Sequence, residues 1–274
     1  MRAARRPSAV SMRPLNLVDP VTKVRPDQSL GQINVEENAA NIAYHGLELS
    51  VNQKSWHGLR TDAYMTWAKS NSYYNADDTI TFTGSALQDP MNIAGSKGPV
   101  RGLPLLRYTS VISYGIPSPT RWRSVLGGWT FRTINTWRGG IPINVTSGVD
   151  NVGNGRSAGQ RPDPVPGVDP YVREGLVWLN PAAFTVAGVK AEKRFGYLGY
   201  NTFRGPGALT LNAALHKNFK LSETQQVTFR LETFNTLNHP VLSAPVTNFN
   251  DPNFGKIQTA SGGRNVQLAL KYAF

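Results

Sequence analysis

From Asn265 to Phe274 the chain alternates: Val266, Leu268, Leu270, Tyr272 and Phe274 are apolar or aromatic, while Asn265, Gln267, Ala269, Lys271 and Ala273 are polar or small. Successive side chains on a strand point to opposite sides, so the segment predicts a strand with one greasy face and one that tolerates water. The same period recurs earlier. Residues 44–54 set Leu47, Leu49 and Val51 against Gly46, Glu48, Ser50 and Asn52, and 59–68 set Leu59, Ala63, Met65 and Trp67 against Arg60, Asp62, Tyr64 and Thr66. Residues 106–114 carry Leu106, Tyr108, Ile112 and Tyr114 at alternate places, and 129–138 carry Trp129, Phe131 and Trp137 against Arg132 and Arg138. Leu209, Leu211, Ala213, Leu215 and Phe219 share a face in 209–219, as do Val227, Phe229 and Leu231 in 226–235, against Thr228, Arg230 and Glu232.

The connections between these segments alternate in length: short at 55–58 and 220–225, medium at 115–128, and long at 69–105, 139–208 and 236–264. An up-and-down meander puts successive connections at opposite ends, and outer-membrane barrels have short turns on the periplasmic side and long loops outside. The pattern therefore predicts an all-β fold, an antiparallel up-and-down transmembrane β-barrel fragment of about seven long strands with long extracellular loops, its barrel incomplete. Residues 1–40 read as a mostly irregular, Arg-rich N-terminal segment and 41–274 as the barrel part. Trp129 and Trp137 lie eight residues apart on one face, as do Leu59 and Trp67. At about 3.4 Å per residue and a tilt near 45°, eight residues climb roughly 20 Å, near the apolar band of about 25 Å between aromatic girdles. Trp67, Trp129 and Trp137 are thus expected at the membrane interfaces. The competing expectation is a soluble β-sandwich, its Gly- and Asn-rich loops holding glycans or protein partners.

Composition narrows the chemistry. The formal charge of +12 suggests nucleic acid, but the basic residues are dispersed beyond Arg2, Arg5 and Arg6, which fits solvated or lumen-facing positions instead. No apolar run approaches the roughly 20 residues of a membrane helix, so membrane residence has to be by strands. No apolar h-region follows Met1–Arg13, so no export signal is legible. Zero cysteines rule out disulfides and thiol chemistry. His45, His57, His216 and His239 show no metal spacing, and a calcium loop starting at Asp150 fails because Val152 and Arg161 occupy ligand places. The glycines from Gly153 to Gly159 lack a phosphate-cradle context and read as loop flexibility. Ser222 and Ser243 lack a nucleophile elbow, and Asp77 and Asp78 are adjacent rather than opposed across a cleft. No catalytic residue, metal or cofactor is expected. The polar faces instead offer Arg60, Asp62, Arg230, Glu232 and Lys271 as lumen-facing candidates, available for cross-strand pairing or for contact with a plug or ligand.

A set of short motifs adds a family. Tyr44-His-Gly-Leu-Glu-Leu, Gln88-Asp-Pro-Met-Asn, Leu126-Gly-Gly-Trp, Arg138-Gly-Gly-Ile-Pro, Gly159-Gln-Arg-Pro, Asn180-Pro-Ala-Ala-Phe, Phe203-Arg-Gly-Pro-Gly, Phe229-Arg-Leu-Glu-Thr-Phe-Asn-Thr-Leu-Asn-His-Pro and Asn253-Phe-Gly-Lys-Ile occur in this order. From about residue 30 onward the chain resembles the C-terminal barrel region of Oar-like TonB-dependent outer-membrane transporters, those with a carboxypeptidase-regulatory-like domain. The resemblance implies a receptor of about 22 strands that takes up a ligand across the outer membrane of a Gram-negative cell. It implies as partners outer-membrane lipid, the barrel assembly machinery, TonB, and the plug and earlier strands of the receptor. It also implies that Val266, Leu268, Leu270, Tyr272 and Phe274 form the C-terminal assembly signal. An open seven-stranded sheet would leave two unpaired edges in hydrocarbon, so the chain is expected to be a partial barrel, inactive or only partly active alone.

Overall fold

The computed structural model describes residues 9–73, 87–117 and 127–274. Its backbone is organised by hairpin pairing. His57 and Gly58 both adopt positive φ, 48° and 84°, and join two long strands through a two-residue turn. Positive φ at both central positions is the type I′ requirement, and its twist matches that of the flanking strands.

In chain order the strands are β1 (Ala9–Leu15), β2 (Ile33–Ala40), β3 (Ile42–Trp56), β4 (Leu59–Ser72), β5 (Gly98–Pro99), β6 (Leu106–Gly115), β7 (Trp129–Arg138), β8 (Pro142–Ile143) and β9 (Asp163–Pro164). They continue with β10 (Tyr171–Glu174), β11 (Val177–Leu179), β12 (Phe184–Thr185), β13 (Phe203–Arg204), β14 (Ala208–Lys220), β15 (Gln226–Phe234), β16 (Val241–Leu242), β17 (Ala260–Ser261) and β18 (Asn265–Ala273). Seven of them form one antiparallel wall in the order β18-β15-β14-β7-β6-β4-β3, with β5 added at the upper end of β4. These seven are the strands that the alternation predicts, in sequence order without a crossover. Among the described residues β3 and β18 do not pair with each other, so the sheet stays open.

Of the buried hydrophobic residues, none lies in the seven wall strands; they occupy the long connections, from Leu87 and Val100 through Ile143, Val145, Leu179, Phe184 and Leu198 to Phe254 and Ile257. A sandwich would place the stripes of two sheets against each other. Here a single sheet leaves them exposed, and the sandwich expectation is set aside.

The connections 139–207 and 235–264 build a compact cap at one end of the wall. Ile143, Val145, Leu179, Ala183, Phe184, Leu198 and Phe254 form its core, with Tyr171, Trp178, Phe203 and Phe249 packed against it. Phe184 meets Phe203 and Phe254 edge to face, each at 5.4 Å, and Phe249 meets Phe254 at 5.2 Å, the arrangement the ring quadrupole favours. The half-buried Tyr171 and Trp178 keep their polar ends bonded: the Tyr171 hydroxyl accepts from Arg204 N at 2.8 Å, and Trp178 Nε1 donates to Arg204 O at 2.7 Å. Small pairs, β8 with β13, β9 with β12, β10 with β11 and β16 with β17, satisfy backbone groups around this core. Gly140 is required where the two limbs of the long connection cross, because a Cβ there would collide with the Gly205 carbonyl.

The expectation of a mostly irregular segment before residue 41 is corrected by a hairpin. β1 pairs antiparallel with β2 from Ala9↔Ala40 to Leu15↔Ile33, and only Asn41 separates β2 from β3. Asn16 holds the hairpin loop, its amide nitrogen donating to the carbonyls of Asp27 at 2.9 Å and Gly31 at 2.8 Å while its oxygen accepts from Asp27 N. Val18 N then donates to Asn154 O at 3.0 Å, docking this loop on the cap.

Phe184→Ala should cost the cap about 3–5 kcal/mol. Hydrogen exchange should speed up across 143–198 and leave the wall strands unchanged; equal acceleration in β14 and β15 would show that cap and wall do not separate energetically.

Candidate functional site

Cross-strand register decides what each side of the wall presents. Trp56↔Leu59, Leu59↔Tyr114, Tyr114↔Phe131, Phe131↔Leu215, Leu215↔Leu231 and Leu231↔Leu268 are directly opposed, giving one apolar row across all seven strands. Opposed residues share a face, so the separate stripes merge into a continuous apolar surface. The terminal strand carries it in its barest form: Val266 is 61% exposed, Leu268 71% and Leu270 74%, and Tyr272 stacks with Phe274 at 5.7 Å.

All three tryptophans expected at interfaces lie on this face, at its two ends. Trp67 is opposite Leu47 and Leu106 towards the cap, as is Trp137 between Tyr108 and Leu209. Trp129 sits at the other end, opposite Lys217, with its ring 6.0 Å from Phe229. Lys217 was not anticipated. It occupies an apolar-stripe position between Leu215 and Phe219 yet is only 1% exposed, its Nζ 4.6 Å from the Phe219 ring centre and 5.3 Å from that of Trp129. A second unanticipated polar group is Asn135, which donates to Ser110 Oγ at 3.0 Å and Thr133 Oγ1 at 3.2 Å within the same apolar face.

Arg60, Asp62, Arg230, Glu232 and Lys271 all occupy the opposite, polar face. Arg60 Nε reaches Asp62 Oδ2 at 3.4 Å along its own strand. Glu232 pairs diagonally with His216, Oε1 to Nε2 at 3.3 Å, while Arg230 lies directly opposite His216. Arg132, Arg230 and Lys271 border a concavity of about 300 Å³ on this face, together with His216, Asn218 and Thr228.

The cap is ordered by buried polar staples. Gln88 accepts from Arg161 N at 2.8 Å and donates to Gly196 O at 2.9 Å, while Arg161 donates to Leu198 O at 2.8 Å and Gly95 O at 2.9 Å. Four side-chain bonds thus tie three distant segments together. Burial pushes the Arg161 guanidinium down to about 10, still protonated at neutral pH. Within the 153–159 stretch, expected as flexible, Gly153 and Gly155 are held by Asp150, whose carboxylate accepts from their N–H groups at 2.8 Å and from Asn154 N at 3.2 Å. Arg194 forks onto Asp163 at 3.0 and 2.7 Å, and Tyr197 N donates to Asp163 Oδ1 at 2.8 Å. The Arg194 hydrogen bonds hold the Asp163 carboxyl below the usual carboxylate range, and the same contact raises Arg194.

The motif around residues 229–240 also has a mechanical use. At the end of β15, Asn235 turns the chain out of the wall with φ 49°. Its side-chain nitrogen bonds His239 O at 3.0 Å and Gly262 O, and its oxygen accepts from His239 N at 3.0 Å. One residue thereby binds the departing and returning limbs of the last long connection.

An open antiparallel wall with one apolar and one polar face, and its packed core in the connections, defines a segment of a membrane β-barrel. The chain belongs to the outer membrane beta barrel domain family, which matches residues 6–267. Among solved structures it is similar to the outer membrane transporter YddB from Escherichia coli, at 12% identity and a TM-score of 0.48, over 98% of this chain and 29% of that one. The chain therefore spans less than a third of that transporter's length. No match is found among curated protein sequences. Family membership places the wall in an outer membrane, with lipid against its apolar face.

Asp163 adds a pH dependence. Its folded value lies below its unfolded one, so its contribution to cap stability is fully present above about pH 3.9 and is lost as pH falls through the lowered folded value. Asp163→Asn should loosen residues 194–198 at pH 6 and flatten the difference between pH 6 and pH 3, read by hydrogen exchange corrected for intrinsic rates. An unchanged pH response in the variant would remove Asp163 as the cause.

Proposed function

We propose that this chain supplies a C-terminal part of the wall and the outer cap of a TonB-dependent outer-membrane transporter of the Oar-like kind, a non-enzymatic uptake receptor. The observation that carries this reading is the predominantly apolar face shared by seven strands, none of which contributes a buried hydrophobic residue among the described residues. Backbone groups in hydrocarbon must be paired, and β3 and β18 each leave one edge unpaired among the described residues. Further strands, contributed by the rest of a receptor, complete the cylinder in this reading.

The short turns at 57–58 and 221–225 then face the periplasm and the cap faces outward, with the loops that meet ligand. Trp67 and Trp137 mark the outer interface and Trp129 the inner one. Arg60, Asp62, Arg230, Glu232 and Lys271 line the lumen, where they are available to a plug or a ligand. Val266, Leu268, Leu270, Tyr272 and Phe274 are the signal read by the assembly machinery. TonB acts through the plug rather than through this wall, and nucleic acid has no part in the scheme.

Expressed with an export signal and joined to the remaining strands of a receptor, the chain should partition with outer-membrane detergent extracts rather than with soluble protein. Leu268→Arg should cost about 2–4 kcal/mol if it sits at the midplane, and should lower the yield of membrane-inserted protein. A monodisperse monomer in detergent-free buffer, unaffected by Leu268→Arg, would be incompatible with this function.

A further inference from the structure

We propose that the concavity bordered by Arg132, Arg230 and Lys271 is a binding site for a small multivalent oxyanion, a polycarboxylate or a phosphate ester. The inference rests on reading the polar face as the lumen of an uptake receptor, and it names the chemistry of a solute held there.

The charge distribution is one-sided. On the polar face of β6, β7, β14, β15 and β18 stand six permanent cations, Arg107, Arg132, Arg138, Lys220, Arg230 and Lys271. Glu232 is the one carboxylate of these five strands on that face, and it is engaged by His216 at 3.3 Å. Arg107 stands directly opposite Arg138, a like-charge cross-strand pair at the cap end of the wall, outside the concavity. Among the described residues, Arg132, Arg230 and Lys271 have no carboxylate partner.

Register also makes the space. Arg132 is opposite Ala214, and Arg230 is opposite Ala269. Each guanidinium therefore has a methyl on one flank, with Ser113 on the other side of Arg132 and His216 on the other side of Arg230. The resulting concavity of about 300 Å³ falls at the small end of the range for ligand sites. Gly128, Thr130, His216, Asn218, Gln226 and Thr228 complete its lining, and no apolar side chain contributes. Two guanidinium forks and an ammonium around a wholly polar hollow suit clustered anionic oxygens, which a guanidinium can meet with two parallel hydrogen bonds. An aliphatic or neutral aromatic solute finds no matching surface there.

The full chain refolded in detergent should be titrated calorimetrically with citrate, with inorganic pyrophosphate, and with glucose as the uncharged control, at about 50 mM and about 300 mM salt. The expected result is saturable binding of at least one anion, none of glucose, and about tenfold or greater weakening in Arg132→Gln/Arg230→Gln. Arg60→Gln, which lies outside the concavity, should bind as the unaltered chain does. The two anions separate a polycarboxylate site from a phosphate site. If the double variant fails to fold, Lys271→Gln on the exposed terminal strand serves in its place. A chain with full strand content that binds neither anion, or binds equally well after these substitutions, overturns the site while leaving the wall reading intact. A chain with no strand content in detergent overturns both, because only pairing of β7, β14, β15 and β18 brings these residues together.

Discussion

Every feature of this protein follows from the pairing of backbone N–H and C=O groups between neighbouring strands in one fixed register. A strand in hydrocarbon has no water to satisfy its backbone, so pairing is obligatory there, and a period of two converts each paired register into a choice of faces. In the wall that choice is consistent from Trp56 to Leu268, six strands away. A slip by one residue in any strand would move its apolar side chains into the polar face and its charges into the apolar one. Side-chain packing contributes little to this specification, since the wall has no core of its own.

The packing that a soluble domain would place between its layers is found in the cap. There Phe184, Leu179 and Phe254 exclude water, and the buried Gln88 and Arg161, with the half-buried Asp150, hold the loops at fixed separations. Several short motifs that looked like a family signature have this structural use: Gln160 and Arg161 staple, Asn180 caps the turn before Phe184, Phe254 fills the core, and Asn235 gathers two limbs of a connection. The motifs therefore speak for the architecture more than for a ligand.

Sequence legibility divides along the same line. The seven wall strands could be read to within a few residues because alternation is a local signal, and Trp129–Arg138 matches at both ends. The cap could not be read that way. Its core draws Ile143, Leu179, Leu198 and Phe254 from positions with no common period, and its pairs are only two to four residues long. The hairpin of β1 and β2 was missed because Pro14 and the run Glu36-Glu37-Asn38 weaken its alternation. Lys217 and Asn135 were overlooked for another reason: a stripe defined by residue type passes over polar members, although Lys217 lies between Leu215 and Phe219 and directly opposite Trp129 and Phe229. Alternation alone puts Arg230 and Glu232 on one face, but the partnership of Glu232 with His216 depends on a diagonal that only the register reveals.

The cap's core is shared by two different connections, since Ile143, Leu179 and Leu198 come from the segment between β7 and β14 and Phe254 from that between β15 and β18. Those four strands are neighbours in the sheet. They are thus riveted along one rim, whereas at the other rim β14 and β15 are joined by a turn of five residues, Leu221–Gln225, around which the described residues form no core cluster. Such a wall behaves mechanically like a fan, stiff at the bound edge and free to spread at the other, so any bending force is absorbed at the turn end first.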